Sequence, residues 1–318
     1  MTVLIPVADV VLAPVTLLAA VWLKLVRRVG VYRMKVSRAL FNRVGVFPIR
    51  DHYYEPAFNP RHLRAPLSRE RNLPGVDFDV EGQCALLARF DCAQELDRFP
   101  RTSTRVGEFY YDNPNFPPGD SEYLYSIIRL VKPRRIVEVG SGFSTLIMLK
   151  AIEANAADDP GYRCDLRCIE PYEMDWLDGV AGVQVLRQRV EEVDAREVER
   201  LEEDDILFID SSHVIRPQGD VLKLCLELLP VLRPGVLVQI HDIFTPRDYP
   251  AGWVIDEVRL WNEQYLVEAF LSCNARFEVI GALNMLASRY PDRLAEKFPV
   301  FREKGGKSYP GSLWLRSR

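Results

Sequence analysis

The sequence predicts an α/β protein, with a mostly parallel sheet covered by helices on both faces, preceded by a hydrophobic N-terminal helix and an irregular cap segment. From residue 119 onward, short apolar runs alternate with helical patterns, as in sheets buried on both faces. Before that, an apolar N-terminal run gives way to a stretch rich in proline and aromatic residues. The three predicted regions are residues 1–50, 51–118 and 119–318.

Composition places the chain among globular proteins. The 318 residues carry 41 Lys and Arg against 45 Asp and Glu, a net charge of −4, with 48% hydrophobic residues. These proportions exclude a disordered chain, a collagen and a polytopic membrane protein. A charge near zero also argues against a nucleic-acid partner, because such proteins concentrate basic residues on the binding domain. The six cysteines form no C-x-x-C pair, which favours reduced thiols in the cytosol.

Residues 1–50 are predicted to form a membrane anchor followed by a basic juxtamembrane segment. Residues 3–23 contain one charge, Asp9, and as a helix would be about 31 Å long, enough to cross a hydrocarbon core. Residues 24–50 carry eight basic side chains and no acidic one, so the positive-inside tendency places everything after residue 24 in the cytoplasm. Asp9, Pro6 and Pro14 leave two alternatives open: a helix lying in the membrane interface of a cytoplasmic protein, or a buried core helix.

Residues 51–118 are predicted to be an irregular cap packed against the following domain. Prolines interrupt the stretch, and its clearest helical pattern covers residues 83–97. Too many of its aromatic residues are close together to be left in water: Tyr53, Tyr54, Phe58, Phe109, Tyr110, Tyr111 and Phe116.

The third region, residues 119–318, is predicted to hold the sheet. A helix over 121–131 leads into a strand over 135–139, and a second helix follows a glycine-containing turn and reaches about residue 156. The remaining strands and helices follow in alternation: strands over 167–170, 183–186, 206–210 and 236–240, with helices over 191–203, 220–232 and about 254–274.

In a parallel sheet, ligands bind outside the carboxyl ends of the strands, so the residues there are the candidates for binding. Gly140 and Gly142 allow a tight turn and a close approach of the backbone to a ligand, and Ser144 can cap the next helix. The turn GSGFST lacks the third glycine of a dinucleotide fingerprint, which counts against NAD. Glu138 offers a carboxylate to a ligand ammonium, and Glu170 can accept hydrogen bonds from two ribose hydroxyls.

Four strings resemble class I S-adenosylmethionine-dependent methyltransferases, in particular the bacterial methyltransferase-24 family: RIVEVGSGFSTL, CIEPY, DILFIDSSHV and GVLVQIHDIFTPRDYPAGWV. The resemblance covers residues 119–317 and implies a Rossmann-like sheet with one antiparallel terminal strand, supplied by the runs at 277–280 and 312–315. It implies S-adenosyl-L-methionine as the cofactor. The residues it places around this donor are Glu138, Gly140, Ser141, Gly142 and Ser144 on the methionine side, Glu170 at the ribose diol, Val190 against adenine, and Asp210.

Four polar residues at two later strand ends are candidates for chemistry: Asp210, His213, His241 and Asp242. Methyl transfer is an in-line displacement, so a protein aligns donor and acceptor and, for a hydroxyl acceptor, removes a proton. His213 or His241 could be the base, beside Asp242. Alternatively Asp210 and Asp242, with His241 or His213, could hold Mg²⁺, which would acidify the hydroxyl. A structural role for all four is the third interpretation.

The sequence therefore predicts a methyltransferase acting on oxygen of a small or lipid-linked glycan or secondary metabolite at the membrane surface. Asp248, Tyr249, Trp253 and Arg259 are expected to shape the acceptor side. Two alternatives are an NAD(P)-dependent oxidoreductase of Rossmann type and a membrane-tethered scaffold without catalytic activity.

Overall fold

The computed structural model describes residues 4–57, 59–305 and 308–318. The chain forms two compact units that divide between Pro66 and Leu67, called here the N-terminal unit and the C-terminal unit. Residue 3, the first of the predicted apolar run, and Phe58 lie outside the described residues.

The N-terminal unit contains two helices, α1 (Leu4–Val29) and α2 (Lys35–Val44), and a 3₁₀ turn at Pro60–His62. The 26 residues of α1 span about 39 Å, and Ile5–Val29 has a mean hydropathy of 2.0 with none of its most apolar window buried. Among the described residues, α1 is the one helix long and apolar enough to cross a membrane. Arg27, near its end, donates two hydrogen bonds of 2.8 and 2.6 Å to the carboxylate of Glu55.

The C-terminal unit is built on seven strands: β1 (Arg135–Val139), β2 (Asp165–Ile169), β3 (Val183–Leu186), β4 (Ile206–Ile209), β5 (Leu237–Ile240), β6 (Phe277–Ala282) and β7 (Leu313–Ser317). They form one sheet in the order β3-β2-β1-β4-β5-β7-β6. Strands β1 to β5 pair in parallel, whereas β7 is antiparallel to both of its neighbours. The predicted fold class is confirmed. The strand order reverses at β1 and β4, the place where open α/β sheets bind ligands.

The helices of the C-terminal unit are α3 (Val80–Ala88), α4 (Ala93–Leu96), α5 (Asp120–Val131), α6 (Phe143–Asp158), α7 (Arg196–Glu199), α8 (Asp220–Lys223), α9 (Glu263–Leu271), α10 (Leu283–Arg289), α11 (Pro291–Lys297) and α12 (Pro299–Lys304). Helix α8 continues through a π turn at Leu224–Leu228 and a 3₁₀ turn at Leu229–Val231, close to the predicted helix over 220–232. Helices α10 to α12, between β6 and β7, have no counterpart in the sequence prediction.

Two predicted helices are wrong in their extent because buried or capping side chains interrupt them. The pattern at 83–97 divides into α3 and α4, since Phe90 turns into the core and packs edge-on against Tyr123 at 5.0 Å. The predicted helix over 191–203 is only a 3₁₀ turn at Val190–Glu192 and the four residues of α7. The Asp194 side chain accepts the Arg196 N–H at 3.0 Å, which starts a new helix in place of a continuous one.

The third overlong prediction, the helix over 254–274, concerns the segment before α9. A π turn at Gly252–Asp256 is followed by Val258 in the left-handed region, at φ 55°, and the regular helix begins only at Glu263. The chain turns here because the N–H groups of Asn262 and Glu263 both donate to the carbonyl of His213, at 2.9 and 3.2 Å. The predicted helix is thus shortened by contacts with a strand-end residue.

Apolar layers cover both faces of the sheet. The cap aromatics Phe109, Tyr111 and Phe116 belong to one layer and are at most 2% exposed, as predicted. Burying an aromatic ring of this size contributes about 2 kcal/mol. Tyr53 and Tyr54 were also expected to be buried, and this is wrong: they are 81% and 80% exposed, and their tilted rings lie against each other with centroids 4.0 Å apart.

A buried carboxylate fixes the start of α5. Glu122 accepts hydrogen bonds from the backbone N–H groups of Gly119, Val300 and Phe301, at 3.0, 2.8 and 3.0 Å. Burial raises the pKa of Glu122 to about 7, although these three bonds oppose the change. The carboxylate therefore joins the first turn of α5 to the first turn of α12.

Candidate active site

The parallel strands end at one edge of the sheet, and their backbone bonding continues one residue further. The residue after each of β1, β2, β4 and β5 donates its N–H to the carbonyl of the last residue of a neighbouring strand, at 2.8–3.1 Å. Four sequence-predicted residues are therefore held side by side at this edge: Gly140, Glu170, Asp210 and His241.

Gly140 is required by two features of the turn that follows β1. Its φ of 77° lies in the left-handed region, and a Cβ built on it would stand 2.1 Å from the carbonyl oxygen of Asp210. At Gly142 the nearest atom to such a Cβ is the terminal carbon of Met174, at 3.5 Å. The first glycine lets the turn lie against Asp210, and the second leaves space at its surface.

Glu138 lies beneath this turn, with 0% exposure. Its two carboxylate oxygens accept the hydroxyls of Ser144 and Thr145, each at 2.6 Å, and the Cys168 thiol lies 3.0 Å away. Burial raises the pKa of Glu138 to about 7, and these three bonds oppose the rise. Glu138 thus anchors the start of α6. Its contact with the donor remains a prediction.

Glu170 joins the turn to the loop after β2. One oxygen accepts the N–H groups of Tyr172 and Glu173, both at 2.9 Å, and the other meets the Ser141 N–H at 3.3 Å. The Ser141 hydroxyl is buried without a hydrogen-bond partner among the described residues. Val190, the predicted adenine contact, is 4% exposed in the apolar layer beside β1 and β2. One carboxylate oxygen and one hydroxyl of this loop pair are therefore left with spare hydrogen-bonding capacity.

Three predicted residues converge next to the turn: Asp210, His213 and Asp242 each offer a ligand atom, all within 4.8 Å of one another. Nε2 of His213 is 3.3 Å from Oδ1 of Asp210 and 3.6 Å from Oδ2 of Asp242. His213 and Asp242 both have left-handed backbones, at φ 60° and 55°. Such conformations cost of order 1 kcal/mol each and concentrate at functional sites.

The His213 ring is held by two residues that the sequence analysis did not identify. Its Nδ1 is 2.9 Å from Oε2 of Glu263, which is 1% exposed, and its ring centroid is 4.2 Å from that of Trp261. The other oxygen of Glu263 accepts the Ser211 hydroxyl at 2.8 Å. The sequence carries no signal for Glu263, because α9 also contains the polar residues Gln264 and Glu268.

His241 stands apart from this group, which changes the predicted metal set of Asp210, Asp242 and His241. Its Nε2 lies 3.3 Å from the carbonyl oxygen of Asn115 and 3.5 Å from Oδ1 of Asp242. Its Nδ1 is buried without a partner in the described part of the chain. The imidazole whose ligand atom converges on both aspartates is that of His213, because the left-handed turn after β4 brings it back over the strand end.

The charges of these groups depend on one another. Burial alone would lower the pKa of His213, but hydrogen bonds to Asp210 and Glu263 raise it to about 10. Burial also opposes the charged form of His241, yet Asp242 and Asp210 raise its pKa. Without another cation, the His213 imidazole would therefore be protonated near neutral pH and not free to accept a proton, and the two aspartates favour the charged form of His241 as well.

An aromatic cluster borders the site on the side where the acceptor was predicted. The guanidinium carbon of Arg259 lies 4.3 Å and 4.5 Å from the ring centroids of Trp253 and Trp261, and Nε donates to Glu257 at 2.6 Å. Tyr249 is 2% exposed, and its oxygen accepts the N–H of Gln264 at 3.0 Å. The two indoles and Arg259 thus line this side of the site, and Tyr249 packs behind them.

Residues 137–243, which include all of these strand ends, match the family model Methyltransf_24, described as a methyltransferase domain. The matched stretch is about a third of the chain, and within it the sequence is similar to a methyltransferase domain. The predicted resemblance to a methyltransferase of this family is confirmed for this stretch. The match favours a methyltransferase over the alternative of a nicotinamide-dependent oxidoreductase.

Comparisons with individual proteins and solved structures give more distant likenesses than the family model does. A curated but uncharacterized protein from Archaeoglobus fulgidus is 28% identical over 173 residues, covering 51% of this chain and 76% of the relative. An O-methyltransferase from Bacillus cereus, solved in complex with SAH, is 14% identical with a TM-score of 0.37, covering 74% of this chain and 90% of its own. The structure of cmcI with Mg and SAM is 16% identical with a TM-score of 0.38, covering 70% and 84%.

Proposed function

We propose that this protein transfers the methyl group of S-adenosylmethionine to a hydroxyl oxygen of its acceptor, at a site where Asp210, His213 and Asp242 hold a divalent cation. The observation that carries the proposal is that these side chains converge beside the Gly140 turn, which lies against the Asp210 carbonyl. A donor at the turn and an acceptor at the cation would be neighbours, as an in-line displacement requires.

The donor side has two groups suited to a sulfonium nucleoside. The buried Ser141 hydroxyl is available for a hydrogen bond to a ligand, and the Glu170 carboxylate, already fixed by backbone N–H groups, can accept further bonds from a ribose diol. The remaining assignments follow the family resemblance: Glu138, Gly140, Gly142 and Ser144 on the methionine side, and Val190 on the adenine side.

The residues around the cation site divide the work of activating a hydroxyl. A bound divalent cation lowers the pKa of a hydroxyl that it contacts. Asp210 and Asp242 supply the negative charge that retains it, and His213 supplies a nitrogen held in place by Glu263. Oxygen and imidazole donors at this spacing suit Mg²⁺ or a transition metal.

A second candidate mechanism uses no metal, with His241 as general base for the acceptor hydroxyl and Asp242 beside it. It is favoured by one observation, the buried Nδ1 of His241 that has no partner among the described residues. The raised pKa of His241 weighs against it, since the charges of Asp242 and Asp210 outweigh burial and favour the protonated ring.

The acceptor is proposed to be a small or lipid-linked glycan or secondary metabolite, and α1 to anchor the protein with the C-terminal unit in the cytoplasm. Support comes from the unburied apolar surface of α1 and from the eight basic residues at 24–50, which suit anionic lipid. The indoles of Trp253 and Trp261 can pack against a sugar or another ring. If α1 lies only in the interface, the protein is a peripheral cytoplasmic enzyme.

Radiolabelled methyl transfer tests the proposal. The full chain in detergent, given methyl-labelled S-adenosylmethionine and a membrane lipid extract, should label hydroxyl-bearing compounds, with activity lost in EDTA and restored by a divalent cation. Asp242→Asn should lower turnover by roughly tenfold to a hundredfold, whereas the exposed control Asp292→Asn should not. Transfer that survives EDTA but is lost in His241→Ala would favour the second mechanism, and label found only on nitrogen or carbon would refute oxygen as the acceptor atom.

A further inference from the structure

The donor set beside β4 and β5 is chemically mixed, with two carboxylates and one imidazole. Asp210 and Asp242 offer oxygen, and His213 offers nitrogen, from atoms within 4.8 Å of one another. The His213 side chain is buried, at 5% exposure for the residue, so it is not a surface group that meets the aspartates by chance.

Glu263 determines which nitrogen of His213 faces the aspartates. A carboxylate only accepts hydrogen bonds, so the 2.9 Å contact between Oε2 of Glu263 and Nδ1 of His213 places a proton on Nδ1. In the neutral ring, Nε2 then carries the lone pair, and Nε2 is the atom 3.3 Å from Asp210 and 3.6 Å from Asp242. A carboxylate behind a histidine is the usual support for a metal-binding imidazole.

The orientation of the ring is fixed from its other sides as well. The indole of Trp261 packs against it at 4.2 Å, and the carbonyl of His213 accepts two N–H groups from the start of α9. Glu263, at 1% exposure, is itself held by the Ser211 hydroxyl. Very little rearrangement would be needed for Nε2 to bind a cation.

From this geometry we infer that the site selects a divalent transition metal such as Mn²⁺ over Mg²⁺, with His213 as a nitrogen ligand and Glu263 as its positioning residue. The inference rests on the proposed function, to which it adds the class of metal. Mg²⁺ favours oxygen ligands and retains water. First-row transition metals accept imidazole nitrogen more readily than Mg²⁺ does, and among them Mn²⁺ also suits carboxylate ligands such as Asp210 and Asp242. A buried glutamate that orients a histidine is expected at a site with a nitrogen ligand, and a site with oxygen ligands alone does not require it.

Direct metal binding tests this inference. Titration calorimetry of the metal-free full chain in detergent should give a dissociation constant for Mn²⁺ at least about tenfold below that for Mg²⁺. Glu263→Gln should weaken Mn²⁺ binding by roughly tenfold to a hundredfold, and the exposed control Glu153→Gln should leave it unchanged. His213→Asn, which replaces nitrogen by an amide oxygen, should remove most of the preference for Mn²⁺.

A spectroscopic measurement on the unmodified protein keeps the test independent of how the variants fold. Electron spin-echo spectra of bound Mn²⁺ should contain the hyperfine coupling of one imidazole nitrogen. Equal or tighter binding of Mg²⁺, or Mn²⁺ spectra without that coupling, would overturn the inference. Binding of S-adenosylhomocysteine, measured on the same sample, separates the two proposals. If S-adenosylhomocysteine binds and Mg²⁺ binds at least as tightly as Mn²⁺, only the metal inference fails. If a folded sample binds neither S-adenosylhomocysteine nor a divalent cation, the proposed function fails with it.

Discussion

Replacing Gly140 by alanine tests the turn on which the donor site is built. Two costs can be estimated from the structure. A non-glycine residue in the left-handed region costs about 1–2 kcal/mol, and Gly140 has φ 77°. The new Cβ would stand 2.1 Å from the Asp210 carbonyl oxygen, where contacts below 3.0 Å essentially never occur, and relieving such an overlap costs about 1–3 kcal/mol. The expected loss of stability is therefore about 2–5 kcal/mol.

Gly182→Ala is the matched control because it has the cost of a left-handed backbone without the cost of a steric overlap. Gly182 has φ 87°, but its added Cβ would lie at an ordinary 3.4 Å from a terminal carbon of Leu149. Its expected cost is about 1–2 kcal/mol. The difference between the two variants isolates the contact with Asp210.

Thermal unfolding and calorimetric titration with S-adenosylhomocysteine measure the two effects of Gly140→Ala. We expect lower stability than in Gly182→Ala, together with at least about tenfold weaker binding, since a tenfold change corresponds to only 1.4 kcal/mol. Gly182→Ala should bind as the unmodified protein does. The reasoning is refuted if the two variants unfold alike and bind the ligand equally well.

Three further predictions concern other parts of the chain. Glu170→Ala should weaken S-adenosylhomocysteine binding by about 2–3 kcal/mol in calorimetry, through lost hydrogen bonds to a charged group; an unchanged affinity, as expected for Glu173→Ala, would count against the ribose assignment. Burial raises the pKa of Glu122 to about 7 from 4.5, so the stabilisation from its protonation is present below about pH 4.5 and is lost as pH rises through 7. In thermal unfolding, Glu122→Gln should therefore flatten the decline of stability with pH. An unaltered slope would contradict the assignment. Deleting residues 1–66 should give a protein that stays in the supernatant without detergent and still binds the donor analogue, whereas a full chain that is itself soluble without detergent would exclude the anchor.

The parts of the fold that the sequence predicts well are those governed by local pattern. Runs of buried apolar residues, many of them β-branched, identify β1 to β5. The glycine pair after β1 identifies the turn, because a left-handed backbone that lies against the Asp210 carbonyl requires glycine at 140. Parallel strands align their carboxyl ends, so the sequence alone places Glu170, Asp210 and His241 at one edge of the sheet.

The arrangement of side chains at that edge depends on contacts between distant segments. Glu263 lies 50 residues from His213 in the chain, and its helical pattern marks it as ordinary. The left-handed backbone of His213 brings the ring over the aspartates. The sequence does not indicate this conformation, because the residue is not a glycine. The breaks at Phe90 and before Glu263 likewise follow from tertiary packing that outweighs helical periodicity.

The central claim is that the crevice beside the Gly140 turn binds the methyl donor, and titration of the full chain with S-adenosylhomocysteine tests it most directly. The account predicts saturable binding at one site per chain, with NADH giving none. A folded protein, verified by circular dichroism, that binds no S-adenosylhomocysteine would contradict it.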